Sequence, residues 1–258
     1  MSRPEFGSII GPCSIHSYDQ GFTAARRLGQ YVNAVRLPPV KPRSEDSWIG
    51  MGKAALPILH DIKAKTGCTL AMEATTAKDT EWMLQVADYL WLGARHNPNN
   101  TLEIADALRG AQIGMFLVKN PLAPDIKAWI GAINVMRNRL PNCVQVAGIH
   151  RGFYERVKPS GWRNNPDFAM ARKAKAETGV QMWLDPSNLI GNSALINKFL
   201  LNGGFDPTFW DGVLLEADPF PDQAKTDQNQ VLSIEAALTL LSDLTQRYAS
   251  TGGLLLSE

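Results

Sequence analysis

The sequence predicts an α/β protein folded as a single (β/α)₈ barrel of the TIM type, on three observations. Short apolar runs of four to six residues recur every 20–37 residues along the chain. Stretches with apolar residues three and four apart lie between them. The 258 residues are about the length that one closed barrel needs. An open doubly wound sheet is the alternative, but no G-x-G-x-x-G turn follows the first predicted strand.

Each predicted strand is an apolar run with a polar or charged residue at or just past its end, as expected for a parallel sheet buried on both faces. The eight strands are residues 8–13, 34–37, 69–74, 89–94, 115–119, 144–149, 181–184 and 212–217. Apolar residues on one helical face predict the helices between them. The helices are residues 22–31, 56–62, 82–87, 102–108, 126–136, 168–176, 194–200 and 234–244.

Composition and charge exclude several classes of protein. Lys and Arg number 26 against 25 Asp and Glu, which lacks the basic excess of a nucleic-acid binder. No apolar run approaches the roughly 18–20 residues of a membrane span, and no signal peptide is recognised. Three cysteines cannot complete a disulfide framework, which fits a reducing compartment. We therefore expect a cytoplasmic protein that binds neither nucleic acid nor membrane.

Cations concentrate at the carboxyl ends of the predicted strands, where barrel enzymes place their active sites. The six cations are Arg36, Lys41, Arg43, Arg95, Lys119 and Arg151. So many like charges repel one another unless an anion lies among them, and both side chains bind phosphate and carboxylate. The alternative is that each cation merely ends a strand in solvent. The pattern favours a site for substrates that carry more than one phosphate or carboxylate.

Cys13, Glu216 and Asp227 form a second group, near the ends of strands 1 and 8, which are neighbours in a closed barrel. A thiolate and two carboxylates can hold a divalent ion such as Mn²⁺, Zn²⁺ or Fe²⁺. Free cysteines are also common core residues, and Cys68 and Cys143, at strand beginnings, are interpreted in that way.

These motifs, in this order, resemble the type I 3-deoxy-D-arabino-heptulosonate 7-phosphate (DAHP) synthases, especially the β subgroup. The matching segments span nearly the whole chain: Gly11-Pro12-Cys13-Ser14, Arg36, Lys41-Pro42-Arg43-Ser44, Leu92-Gly93-Ala94-Arg95, Val118-Lys119-Asn120-Pro121, Ile149-His150-Arg151-Gly152-Phe153, Trp162-Arg163-Asn164, Asp185-Pro186-Ser187, Glu216, Asp227 and Gln230. The Lys-Pro-Arg-Ser run also argues against the related family that makes 3-deoxy-octulosonate 8-phosphate.

The resemblance implies condensation of phosphoenolpyruvate (PEP) with erythrose 4-phosphate, the first step of the shikimate pathway to the aromatic amino acids. It implies a PEP site of Arg36, Arg95, Lys119 and Arg151. It implies an erythrose 4-phosphate site of Lys41, Pro42, Arg43 and Ser44. Glu73, Arg163 and Asp185 are expected to complete the substrate site. Lys41 is the residue expected to transfer a proton to the new hydroxyl.

The family's metal ligands are Cys, His, Glu and Asp, which implies Cys13, Glu216 and Asp227 here, but Asn188 stands where the family has His. An amide oxygen is a poorer ligand than imidazole for Zn²⁺ or Fe²⁺ but suits the harder Mn²⁺ or Mg²⁺, of which Mn²⁺ is expected here. Three interpretations remain open. Asn188, or a water that it holds, completes a weaker metal site, or His96, Asp218 or His150 replaces the missing ligand. In the third, the metal site is lost and the barrel binds sugar phosphates without turnover.

The resemblance also bears on domains and partners. Relatives often carry a regulatory domain or a fused chorismate mutase. The predicted elements leave no room for either, so we expect residues 1–258 to form one barrel. Any regulation would then come from a separate protein. The dimers and tetramers of the family imply a homo-oligomer.

Overall fold

A closed barrel of eight parallel strands organises the protein. The structure, a computed structural model, describes residues 6–42 and 48–252. The strands follow one another around the barrel in chain order, and the eighth pairs with the first from Gly7 with Gly212 to Gly11 with Glu216. They are β1 (Gly7–Gly11), β2 (Ala34–Arg36), β3 (Leu70–Ala74), β4 (Tyr89–Leu92), β5 (Met115–Lys119), β6 (Val146–His150), β7 (Gln181–Leu184) and β8 (Gly212–Asp218). A short strand, β9 (Leu232–Ser233), pairs with the end of β8.

Helices connect the strands and surround the barrel. They are α1 (Tyr18–Leu28), α2 (Leu56–Thr66), α3 (Ala77–Met83), α4 (Pro98–Ala107), α5 (Ile126–Arg139), α6 (Phe168–Thr178), α7 (Pro186–Ile190), α8 (Ser193–Phe199) and α9 (Ile234–Gly252). Short 3-10 turns occur at Gly52–Ala55, Pro221–Gln223 and Gln228–Gln230, and a π turn at Leu200–Gly204. Among the described residues, no helix is long and apolar enough to cross a membrane.

The predicted fold is confirmed, but several predicted boundaries are wrong. Helix α1 begins four residues before the predicted start at residue 22, because the Ser17 side chain accepts a hydrogen bond from the Gln20 N–H. Helix α4 likewise begins at Pro98 rather than at residue 102, after a cap by Asn97. The sixth strand begins at Val146, since Val144 is 84% exposed. Polar caps, rather than apolar spacing, therefore decide where these helices begin.

The barrel interior packs two indole rings against small residues. Trp183 fills the amino end of the barrel. A Cβ atom at Gly7 or Gly212 would lie only 2.2 or 2.5 Å from its ring. Trp91 lies nearer the carboxyl ends of the strands, and the interior positions of β2, β3 and β6 include Ala34, Ala71 and Ala147. The interior is therefore a filled core, and the space for a ligand lies above it, at the carboxyl ends of the strands.

Candidate active site

A cavity of about 280 Å³ opens at the carboxyl ends of the barrel strands. Nine of the predicted site residues line it: Lys41, Pro42, Glu73, Arg95, Lys119, Arg151, Arg163, Asn188 and Asp227. They come from different strand ends and from the long loops that follow β2, β6 and β8. Two predicted residues, Arg43 and Ser44, lie outside the described residues. The cavity is the place where the barrel gathers its charged side chains.

Three of the predicted cations are paired with carboxylates of the protein itself. Lys119 Nζ lies 2.8 Å from Asp185 Oδ2. Arg36 Nη2 lies 3.3 Å from Glu216 Oε1, and Lys41 Nζ lies 3.4 Å from Asp227 Oδ2. The inference that such a set of cations needs an external anion was therefore too strong, because carboxylates from β7, β8 and the loop after β8 neutralise part of the charge.

Asp185 acts on the cavity through Lys119. It is fully buried and does not line the cavity wall. Burial raises the pKa of its carboxyl, but the charge and hydrogen bond of Lys119 more than offset that effect and hold the pKa below its usual value. Asp185 also caps α7 by accepting a hydrogen bond from the Asn188 N–H. It thus holds Lys119 from behind the cavity wall.

Arg95 and Arg151 form no ion pair with a described residue. Arg151 is 5% exposed, and burial lowers the pKa of its guanidinium to about 10. Its backbone N–H donates to Asn120 Oδ1 at 2.7 Å, which positions the start of the loop after β6. Both arginines face the cavity. They supply the unpaired positive charge that an anionic substrate would meet.

Arg36, which was predicted to bind PEP, lies behind the cavity wall. Only 1% of it is exposed, and it does not line the cavity. Its Nε donates to the Pro12 carbonyl at 3.1 Å and its Nη2 to the Cys13 carbonyl at 3.3 Å. Its Nη1 makes no hydrogen bond with a described residue. Arg36 therefore holds the loop of Cys13 and keeps one donor atom available.

Cys13, Glu216 and Asp227 come together as predicted. One ligand atom of each lies within 4.8 Å of the others. Glu216 is fully buried at the end of β8, and Cys13 is 3% exposed in the loop after β1. Asp227 has a positive φ of 53°, which is uncommon for a residue other than glycine and tends to occur at functional sites. The loop after β8 adopts this conformation and brings the second carboxylate to the group.

The ammonium of Lys41 lies against this group, with Nζ 2.8 Å from Cys13 Sγ. Burial lowers the pKa of Lys41, but Cys13, Glu216 and Asp227 more than offset this and raise it above its usual value. Burial and then the charge of Glu216 raise the pKa of the Cys13 thiol to about 11. The Lys41 ammonium shows that the group already attracts positive charge. A thiol and two carboxylates are also suitable ligands for a divalent ion. The residues present therefore fit a metal.

Asn188 lies at the expected position beside this group. Its Nδ2 donates to Asp185 Oδ2 at 2.9 Å and to Glu216 Oε1 at 3.4 Å. The amide therefore presents its N–H groups, and not its oxygen, to the two carboxylates.

The three residues proposed as replacement ligands do not join the metal group. His96 Nε2 lies 3.1 Å from the Lys119 carbonyl oxygen, and Asp218 accepts hydrogen bonds from Gln20 and from the Phe220 backbone. His150 is buried among aromatic rings, away from the cavity wall. The structure does not support any of the three as a substitute for the missing histidine.

Two residues that contact site residues were given no role in the sequence analysis. Gln230 Nε2 donates to Glu216 Oε2 at 2.8 Å, and its Oε1 accepts from Arg163. Its place in the Asp227-x-x-Gln230 motif was the signal available. Trp91 was missed because an aromatic residue inside an apolar run resembles any other core residue.

The comparison with known proteins decides the family. The sequence profile of the DAHP synthetase I family matches residues 4–250, nearly the whole chain. The chain belongs to the DAHP synthetase I family. A relative, the phospho-2-dehydro-3-deoxyheptonate aldolase of Thermotoga maritima, is 24% identical over 241 residues, which are 93% of this chain and 69% of the relative.

Solved structures of synthases from Thermotoga maritima share the fold. The crystal structure of the phospho-2-dehydro-3-deoxyheptonate aldolase (DAHP synthase) of Thermotoga maritima superposes with a TM-score of 0.83 at 22% identity, covering 96% of this chain and 70% of that one. The truncated form of 3-deoxy-D-arabino-heptulosonate 7-phosphate synthase from Thermotoga maritima superposes with a TM-score of 0.79 at 21% identity, covering 96% of this chain and 88% of that one. At these identities the likeness concerns the barrel, which this DAHP synthetase family member shares.

Proposed function

We propose that this DAHP synthetase family member condenses PEP with erythrose 4-phosphate to give DAHP and inorganic phosphate. One observation carries the proposal. A single cavity is lined by Lys41, Arg95, Lys119 and Arg151, and through Lys41 and Asp227 it adjoins the thiol and carboxylate group. The substrates of the reaction carry two phosphates and a carboxylate, which matches this charge. The sugar phosphate and PEP would meet at the same wall.

Arg95, Lys119 and Arg151 would bind the phosphate and carboxylate of PEP. Arginine offers two parallel N–H donors to either group, and Lys119 adds a compact charge held in place by Asp185. Arg95 and Arg151 have no carboxylate partner among the described residues, so they can pair with PEP without breaking an existing ion pair. PEP would thereby be held with its methylene carbon free to react.

Lys41 would serve the aldehyde of erythrose 4-phosphate. As the PEP methylene carbon attacks the aldehyde carbon, the aldehyde oxygen gains negative charge and takes a proton from Lys41 Nζ. Water then adds to C2 of the former PEP and loses a proton, and the phosphate leaves with its C–O bonding electrons. Pro42 lines the same wall.

A bound divalent ion would polarise the aldehyde. Mn²⁺ is the expected ion, because it suits a site rich in oxygen ligands. Cys13, Glu216 and Asp227 would hold it. Gln230 and Arg163 would keep the carboxylates of Glu216 and Asp227 in place through their hydrogen bonds.

Turnover tests the proposal. The full chain is mixed with PEP, erythrose 4-phosphate and Mn²⁺, and phosphate release is measured. Release that depends on erythrose 4-phosphate supports the proposal. Release only with arabinose 5-phosphate would assign the related octulosonate synthesis. PEP binding without release under any divalent ion would assign an inert binding barrel, the interpretation in which the metal site is lost.

Arg95→Ala tests the assignment of the cavity. Because Arg95 has no described carboxylate partner, its removal leaves no buried charge unpaired, and we expect kcat/KM for PEP to fall about 10- to 100-fold. Arg26→Ala is the matched control, since Arg26 is exposed on α1. Steady-state kinetics that show equal losses in the two variants would contradict the assignment.

A further inference from the structure

Trp91 lies in β4, completely buried inside the barrel. The segment that follows carries the backbone to Arg95 at the cavity wall. Trp183 is the other indole of the interior, and it packs against Gly7 and Gly212 at the amino end. The two tryptophans therefore have similar burial but different neighbours.

Two cations lie over the Trp91 ring. The guanidinium carbon of Arg36 is 5.3 Å from the ring centroid, and Lys119 Nζ is 5.8 Å from it. A cation within about 6 Å of an indole face is attracted to its negative potential, and the attraction grows when water is excluded. Arg36 is 1% exposed and Lys119 is 6% exposed. The ring therefore offers both cations an uncharged attractive surface, in a space where they would otherwise repel each other.

The indole N–H makes a third contact, donating to Glu73 Oε2 at 3.3 Å. Glu73 lines the cavity. The absence of a side chain at Gly93 gives the Glu73 carboxylate its room, since a Cβ there would lie 2.1 Å from Glu73 Oε1. One indole thus contacts two cations and one carboxylate beneath the same cavity.

We propose that Trp91 is a positioning residue for PEP, one that holds Arg36 and Lys119 over its ring and Glu73 by its N–H. The inference rests on the proposed function, because it assumes that PEP occupies the cavity. Trp91 itself does not line the cavity and acts through the residues that it holds.

Three variants test this role. Trp91→Leu removes both the ring and the N–H, whereas Trp91→Phe keeps a smaller, weaker ring and loses the N–H. We expect KM for PEP to rise about tenfold in Trp91→Leu and by a smaller factor in Trp91→Phe, while KM for erythrose 4-phosphate stays within about twofold. Trp183→Phe is the matched control and should leave both constants unchanged.

Fluorescence gives a second readout that does not depend on turnover or on the folding of Trp91→Leu. Adding PEP changes the electrostatic surroundings of the Trp91 ring, so indole emission should change on titration of wild type and of Trp183→Phe, but not of Trp91→Phe. An unchanged PEP response in Trp91→Phe, or equal KM values in the Trp91 variants and the control, would overturn the inference while leaving the proposed function intact. Failure of wild type to bind PEP would overturn both.

Discussion

At the scale of single residues, Glu216 is the point on which the contacts of the site converge. Its carboxylate meets Arg36 at 3.3 Å, Asn188 Nδ2 at 3.4 Å and Gln230 Nε2 at 2.8 Å. Its backbone N–H donates to Ser187 Oγ at 2.9 Å. A buried carboxylate needs such donors because water cannot reach it. A change at Asn188 therefore acts directly on a proposed metal ligand.

Asn188→His should tighten Mn²⁺ binding about tenfold or more, because imidazole replaces an amide that presents N–H groups to Glu216. Isothermal titration of Mn²⁺ into the apoprotein measures the change, and phosphate release should rise with it. Asn188→Ala is the control. It removes the amide without adding a ligand, and its Mn²⁺ affinity should not exceed that of wild type. Equal affinity of Asn188→His and wild type would count against position 188 as the place of a fourth metal ligand beside Glu216.

At the scale of elements, the loop from β6 to α6 carries Arg151 and Arg163 to the cavity. Gly152 has a φ of 78° and leaves no space for a Cβ, which would lie 2.6 Å from Leu189 Cδ1. Asn164 then ties the loop to α7 by donating to the Asn188 carbonyl. The loop is thus packed against the helix that presents Asn188, and its shape sets the place of both arginines.

Gly152→Ala should weaken PEP binding and lower stability, because the methyl group meets Leu189 and the backbone is left-handed. Gly179→Ala is the matched control, with a similar φ of 68°, open space at the Cβ position and a place at the end of α6. In both variants the free energy of unfolding should fall by about 1 kcal/mol, because alanine is strained in the left-handed backbone conformation. Only Gly152→Ala should lose further stability, because its methyl group meets Leu189, and only this variant should raise the Kd for PEP. Thermal unfolding and calorimetry measure these effects, and indistinguishable variants would show that the loop tolerates the methyl group.

At the scale of the whole molecule, the layer between barrel and helices buries a histidine. His150, the last residue of β6, contacts the rings of Trp129, Phe153, Phe168 and Trp210. Burial lowers the pKa of its imidazole to about 3, and the neighbouring Arg151 lowers it further, while the Pro166 carbonyl and Asp185 oppose the shift. His150 is therefore neutral in the folded protein and can bind a proton in the unfolded chain.

Acid should destabilise the fold through His150. The unfolded chain takes up a proton near pH 6.5, whereas the folded protein does so only near pH 3, so stability is lost as the pH falls between these values. His150→Leu should lower the dependence of the unfolding temperature on pH between 7 and 5. His60→Leu, at an exposed position on α2, should keep the wild-type dependence. Parallel pH profiles for wild type and His150→Leu would refute this account.

The barrel and most of its site could be predicted from the sequence because they depend on local patterns. Eight apolar runs, each buried on both faces, specify parallel strands, and the helical spacing between them specifies the connections. The residues just past the runs must then meet at one end of the barrel. That is why the sequence alone predicts that Lys41, Arg95, Lys119 and Arg151 reach the cavity. The helix starts were missed where Ser17 and Asn97 cap them.

Only the tertiary structure decided how these side chains pair. Arg36 meets Glu216, Lys41 meets Cys13, and Trp91 lies beneath Lys119, although each pair is far apart along the chain. A periodic pattern reports whether a residue is buried, but it does not report which partner it meets, since that depends on closure of the barrel and on side-chain rotamers. The sequence therefore determined which charges gather at the carboxyl ends of the strands, and the packing of the closed barrel determined which of them line the cavity unpaired.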